Sequence, residues 1–369
     1  MILAMHDVNV SKPGVERDWA ALASDIKRWA TALGFDAAMI GDADLGAKTE
    51  QDLQAWLAAG NHGEMDYMAA HGSKRARPAE LVPGTRRVIS LRMNYRPPAA
   101  KSSEAVLVNG EAAFISRYAL GRDYHKVLRS RIKKLAERII TAAGDFGYRA
   151  FVDSAPVMEV AAAERAGLGW RGKHTLLLTR EHGSFFFLGE LFTDLPLPID
   201  PPLAQEHCGR CTRCIDICPT QAIVAPYQVD ARRCVSYLTI ELKGAIPTEL
   251  RPLIGNRVYG CDDCQLTCPW NRFAVDSKES DFAVRNGLDD VSLVELFAWR
   301  EQDFLNKLAG TAIYRIGYER WLRNIAVGLG NAPTSPAVVN ALRSRQDDAS
   351  ELVREHVAWA LARHLDAPT

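Results

Sequence analysis

The eight cysteines of the chain all fall between positions 208 and 268. The first group is Cys208-x2-Cys211-x2-Cys214-x3-Cys218, with Pro219 behind it. Thiolates at this spacing take three corners of a 4Fe–4S cubane and hand the fourth cysteine to a second cluster. Cys261-x2-Cys264-x3-Cys268, followed by Pro269, supplies that second cluster, and Cys234 stands between the groups. Crossed pairing leaves no thiol over. Cys208, Cys211, Cys214 and Cys268 would hold one cluster; Cys218, Cys234, Cys261 and Cys264 would hold the other. Such clusters pass electrons singly. Paired C-x2-C also builds structural zinc sites, but zinc has no use for the three-cysteine run or for the proline behind each group. A disulfide scaffold would spread its cysteines along a short secreted chain, so this clustering implies a reducing compartment.

Other groups could move protons. Asp153 follows the apolar stretch from Tyr148 to Val152, with Ser154 and Pro156 behind it. An acid there caps the next helix or stands at the carboxyl end of a strand, where open α/β sheets bind ligands; position alone favours the cap. His125 lies in the first turn of a long amphipathic segment, where a packing role is as natural as a chemical one. Gly167 to Gly172 match the dinucleotide fingerprint only in part and follow a helix rather than a strand, so no nucleotide site is read. Arg117, Arg122, Lys126, Arg129, Arg131, Lys133, Lys134 and Arg138 are opposed only by Asp123 and Glu137. That is a solvated helix face or a surface for phosphates. Arg315, Arg320, Arg323, Arg343, Arg345 and Arg354 offer the C-terminal part the same option.

The elements that must carry these groups follow from periodicity. Trp19, Leu22, Ile26, Trp29, Ala30 and Leu33 recur at helical steps over 15–33, and Gly34 stops the helix. A strand over 35–40, a helix over 49–59, a loop over 61–83 with the basic patch Lys74 to Arg77, and a strand over 88–91 follow. Asp123 can cap a helix running to Ala143. A strand over 148–152, a helix over 156–166 and a strand pair over 174–179 and 184–192 complete an α/β domain at 1–200. The four prolines of 195–202 read as a linker. A ferredoxin-like two-cluster module spans 201–275, with Ser236-Tyr237 and Lys243-Gly244 in an insertion that could face a cofactor. The region 276–369 is helical, with helices over 292–299 and 302–308. There, 322–329 and 353–361 resemble each other about thirty residues apart, the register of a HEAT-like repeat, too few for an independent solenoid.

The whole chain has 369 residues, with 45 Lys and Arg against 45 Asp and Glu. That neutral charge and 47% hydrophobic content exclude a disordered chain. Any basic surface must be local. No apolar run approaches the roughly 18 residues of a membrane span. The first fourteen residues show no basic region followed by an apolar stretch, so no secretory signal is read and a cytoplasmic location is expected.

Taken together, the layout resembles the epoxyqueuosine reductase family, cobalamin-dependent iron–sulfur enzymes of tRNA modification. The resemblance rests on Ile115-Ser116-Arg117-Tyr118-Ala119-Leu120-Gly121-Arg122-Asp123-Tyr124-His125, on Val152-Asp153-Ser154-Ala155-Pro156, and on Ala166-Gly167-Leu168-Gly169-Trp170-Arg171-Gly172-Lys173-His174-Thr175. Ser236-Tyr237-Leu238-Thr239, the crossed cysteines and the helical tail complete it. His174 departs from the Asn expected in the family. The resemblance implies reduction of epoxyqueuosine to queuosine at the wobble position (34) of tRNAs with a GUN anticodon, with electrons from two 4Fe–4S clusters and an unidentified low-potential donor. It implies a base-off cobalamin between the α/β domain and the cluster module. Leu128 stands where the corrinoid motif D-x-H-x-x-G has Gly, so no lower-ligand His is expected. It makes Asp153 the proton donor, with burial raising its pKa. It offers Arg75, Tyr118, Asp153, Lys173, Ser236, Lys243 and Asp262 as corrin contacts, His125 as a substrate contact, and the helical repeat and basic helix face as tRNA surfaces. A corrinoid reductive dehalogenase shares these cofactors but would carry a twin-arginine export signal and no helical tail; Arg86-Arg87 and Arg232-Arg233 are internal. A ferredoxin-type electron carrier would not need the domain over 1–200.

Overall fold

Phe186–Thr193 carries large side chains on both faces, so both faces must be covered. It becomes an inner strand of a four-stranded sheet with the order Ala37–Asp42, Arg87–Asn94, Phe186–Thr193, Tyr148–Phe151. The computed structural model describes residues 17–153, 155–203 and 206–365. Ser154 and the N-terminal reading lie outside the described residues. All pairings in the sheet are antiparallel. This corrects the α/β reading in its strict sense: alternating strands and helices do not say at which end the chain re-enters the sheet. Here the segment between the first two strands, which contains the helix Ala47–Ala58, crosses back.

Alternate side chains leave opposite faces of a strand. From Phe186–Thr193, Phe187 and Leu191 enter a core shared with the helices Trp19–Ala32 and Tyr124–Ala143. Phe192 joins the opposite face, with Leu45, Phe151 and Ala162 of the helix Glu159–Arg165. The Tyr124–Ala143 helix starts where Asp123 accepts the backbone N–H of His125. It approaches the sheet closely at Gly189, where a Cβ would lie 2.8 Å from Ile132.

Several expectations are corrected. The strands over 174–179 and 184–192 do not form a pair: Leu177–Leu178 pairs with Trp170–Arg171, and only an isolated bridge joins Thr179 to Gly183. The proline-rich stretch is no free linker. Leu197 is wholly buried, and Asp200 accepts the Ile40 N–H and pairs with Lys27. The partial glycine fingerprint serves packing: Gly167 and Gly169 each leave room for a carbonyl that a Cβ would meet at 2.3 Å.

The C-terminal helices share one core with Ile115, Leu120, Val258 and Tyr259. Within it, Gly317–Asn331 lies against Glu351–Leu365, and a Cβ on Gly330 would meet Trp359 at 2.5 Å. Arg323, wholly buried, donates to the carbonyls of Leu238, Leu242 and Gly244, and Asn324 donates to those of Thr239 and Val258. Burial draws Arg323 down to about 9; the carbonyls replace the water it loses. Arg320 and Arg345 likewise bond backbone carbonyls. These arginines hold the insertion and the helices together instead of facing a nucleic acid. Among the described residues, no helix is long and apolar enough to cross a membrane.

Candidate active site and metal centres

The two cysteine groups fold alike. Each C-x2-C leads into a one-turn helix, Arg213–Asp216 in one and Asp263–Leu266 in the other, with Cys-Pro after it. The helices pack side by side, which swaps the last cysteine of each group toward the other. Cys208, Cys211, Cys214 and Cys268 line one cavity of about 270 Å³ with Lys173, His174 and Trp270. Burial, then the neighbouring Cys268 and Cys208, pushes the Cys214 thiol up to about 11. Cys234 faces Cys218, and Cys264 faces both Cys234 and Cys218; Cys261 faces Cys264. None of the eight is in a disulfide. Two sets of four soft donors, the first around a cavity and the second gathered in the interior, fit two iron–sulfur clusters.

Lys173 Nζ donates to the carbonyls of Gly209 and Cys211 at 2.7 and 3.0 Å. His174 is buried beside it; its Nδ1 accepts the Leu176 N–H, and its Nε2 has no partner among the described residues. Burial lowers His174 to about 4, so the ring is neutral. The structure thus puts this loop against the first cage. Cys211 is exposed, and the exposed Arg210, Arg213 and Arg272 stand near it in sequence or in the cage wall.

The second centre gathers on Asp153. The helix after it begins only at Glu159 with no side-chain cap, so Asp153 is not the cap that position suggested. Its carboxylate accepts from the Tyr124 hydroxyl and lies 3.1 Å from His125 Nε2. His125 Nδ1 is 2.8 Å from Asp123, which also pairs with Arg315 at 3.1 Å. A buried imidazole therefore sits between two carboxylates. Burial raises Asp123, but the His125 hydrogen bond and Arg315 outweigh it and hold it at about 2. Burial likewise raises Asp153, yet the hydrogen bonds from His125 and Tyr124 bring it below the usual carboxylate range. Burial lowers His125, while the bonds to Asp123 and Asp153 raise it overall. The expectation that burial alone lifts Asp153 is corrected: its neighbours hold it below the usual range and draw the proton of the pair toward His125, whose Nε2 also has Arg315 Nη1 at 3.1 Å. Protein crowds Asp153 on the Tyr124 and His125 side, yet 54% of its side chain remains exposed, so a substrate can reach it.

Nearby stand Tyr67, which feels Glu241, Asp153 and Arg75, and Glu241, which burial and the Asp153 charge push up. Arg75 is buried. It donates to the carbonyls of Tyr67 and Ala155, and its Nε has no partner among the described residues. Tyr118 packs edge-on against Tyr124 and Phe187. Asp262 is 1% exposed and takes the Ser116 hydroxyl and the Arg117 N–H; it positions the turn that carries Tyr118. Arg117 itself is buried against Ser103, so it leaves the basic face. In the insertion, the Tyr237 hydroxyl accepts the Glu64 N–H, and Glu64 accepts the Lys243 N–H at 2.9 Å, which ties Ser236 to Lys243 onto the loop that bears Arg75. Sequence reasoning missed Arg315, Glu159 and Glu190. Glu190 left a trace, as a lone acid inside the apolar run Phe185 to Phe192.

Eight thiols gathered in two sets, in a chain that also sets a carboxylate 3.1 Å from a buried histidine, are the donor set of an iron–sulfur oxidoreductase. Residues 207–271 match the family model described as 4Fe-4S double cluster binding domain, and residues 75–154 match that of epoxyqueuosine reductase QueG, DUF1730. The chain is 63% identical over 356 residues to the epoxyqueuosine reductase of Pseudomonas aeruginosa, covering 96% of this chain and 97% of that one. It is 58% identical to that of Escherichia coli K12, covering 95% and 91%. A solved epoxyqueuosine reductase with a tRNA-Tyr epoxyqueuosine-modified stem loop is similar at a TM-score of 0.85 and 29% identity, covering 94% of this chain and 91% of that one. A Bacillus subtilis structure with its catalytic aspartate loop swung out of the active site is similar at 0.84 and 28%, covering 93% and 90%. The chain belongs to the epoxyqueuosine reductase family, and membership decides against the dehalogenase and electron-carrier alternatives.

Proposed function

We propose that this chain reduces epoxyqueuosine to queuosine at the wobble position (34) of tRNA. The observation that carries the reading is the half-open Asp153 carboxylate backed by His125, in a chain that belongs to this family from end to end. Converting an epoxide to an alkene and water takes two electrons and two protons. The departing oxygen leaves poorly unless a positioned acid protonates it. Asp153 delivers that proton, refilled from His125, while Arg315 and Asp123 hold the imidazole in line.

The cysteine cages hold two 4Fe–4S clusters, which supply electrons singly. The exposed Cys211 edge, with Arg210, Arg213 and Arg272, is where a low-potential donor delivers them. A corrinoid held beside Asp153 would supply a cobalt centre able to take up electrons delivered singly. The buried, unpartnered Nε of Arg75 suits a corrin side-chain amide, and Ser236, Lys243 and Tyr118 are further contacts. Both ring nitrogens of His125 are engaged, by Asp123 and by Asp153. Lys173 and Asp262 act at one remove, through the first cage and the Ser116 turn. A tRNA substrate supports a cytoplasmic location.

The basic face of the Tyr124–Ala143 helix presents exposed Lys126, Arg129, Lys134 and Arg138, and we assign it, with the HEAT-like helical region, to tRNA carrying a GUN anticodon. Contacts of this kind release counterions. Affinity for the tRNA is expected to fall on the order of tenfold or more between low and physiological salt, measured by filter binding. An affinity independent of salt would remove this surface from the reading. The decisive assay supplies anaerobic enzyme with cobalamin, a chemical reductant and epoxyqueuosine-containing tRNA, then analyses the wobble nucleoside by mass. Loss of 16 Da (one oxygen) is expected; an unchanged nucleoside with both clusters and corrinoid bound would overturn the proposal.

A further inference from the structure

Glu190 is wholly buried, and neither of its carboxyl oxygens receives a hydrogen bond from a fixed donor among the described residues. It lies opposite Ser90 and Phe151 in the sheet, on the face covered by the Glu159–Arg165 helix. That helix packs on this strand, and the titratable group that acts most strongly on the Glu190 carboxyl is the carboxyl of Glu159. Two neighbouring carboxyls, one of them without any donor of its own, are held together by a proton between them, because desolvation and like charge keep both from ionising. Glu159 also accepts the backbone N–H of Asp153. Asp153 has φ +42°, a left-handed conformation that a non-glycine residue keeps only when its surroundings hold it.

We propose that Glu159 and Glu190 share a proton and together latch the Asp153 loop, Glu190 orienting Glu159 and Glu159 pinning the Asp153 amide so that the carboxylate faces the site. Both are positioning residues. Burial and the Asp153 charge push Glu159 up to about 8, and burial with Glu159 pushes Glu190 well above the usual range. The charged and titratable groups facing the pair are Asp153, His125, Tyr124 and Arg75. Below about pH 8 the proton is present and Asp153 meets a neutral acceptor. Above it Glu159 ionises, stands against the Asp153 carboxylate, and the loop loosens. The consequence for turnover rests on the reading of Asp153 as proton donor; the latch itself does not.

Hydrogen–deuterium exchange on the cluster-loaded chain tests the latch without substrate. In E159A and E190L, the peptide over 150–158 is expected to exchange about tenfold faster. E159Q keeps an acceptor for the Asp153 N–H and should stay within about twofold of wild type. Between about pH 7 and about pH 9, after correction for intrinsic exchange, wild type should lose protection and E159Q should not. Should the alanine and leucine variants fail to fold, this pH comparison decides alone. In turnover, E159A should lower kcat about a hundredfold with KM for tRNA little changed, and E159Q should restore it. Unchanged protection in E159A, or E159Q losing protection in step with wild type, would overturn the latch. Normal turnover by D153N with the exchange results intact would instead overturn the Asp153 reading and leave the latch standing.

Discussion

Asp153→Asn is expected to cut turnover about a thousandfold, within the range that a positioned general acid supplies, while both clusters and tRNA binding remain. Asn is the informative replacement because it tolerates the left-handed backbone of Asp153 better than other residues and so leaves the loop in place. The single-turnover rate on epoxyqueuosine tRNA measures the loss, and the iron content with the cluster spectrum shows that nothing else moved. The pH dependence has a definite sign. His125 must be protonated to refill Asp153, and the bonds to Asp123 and Asp153 raise its pKa. Activity is therefore held below that raised value and lost as pH rises through it. On the acid side, the pair survives until pH falls through the lowered pKa of Asp153. Replacing His125 with Gln should remove the part of the alkaline limb that belongs to the imidazole. A D153N enzyme with normal turnover would take the carboxylate out of the chemistry.

Cys268→Ala is expected to abolish turnover and to halve the iron, from about eight atoms per chain to about four. The informative point is which half goes. Cys268 lies in sequence with Cys261 and Cys264 but shares its cavity with Cys208, Cys211 and Cys214. The substitution should empty the exposed first cage and spare the second. Cys234→Ala should do the reverse, since Cys234 faces Cys218 and Cys264. Paramagnetic resonance of the two variants distinguishes the clusters by their different surroundings. Both variants losing the same cluster would break the crossed arrangement and, with it, the path from the exposed edge to the buried centre.

The cysteine cages were legible because their spacing is local: three ligands fall within seven residues, and the chain between them has little freedom to do anything else. The capped helix at Asp123 was legible for the same reason, since cap, apolar stripe and terminal Gly144 all lie along one continuous element. The likeness to a known family carried Asp153. What sequence alone missed depends on elements that meet across the molecule. Spacing could not show that Arg315 of the C-terminal region backs His125, or that Arg323 serves the insertion instead of a nucleic acid. Nor could it show that the sheet is antiparallel or that Glu190, set in an apolar strand, comes to rest against Glu159. A side chain's neighbours along the chain set its periodicity, but its charge state answers to whatever the topology packs beside it. Tertiary structure therefore decided which way the proton is drawn: toward His125, because the fold puts the imidazole between two carboxylates.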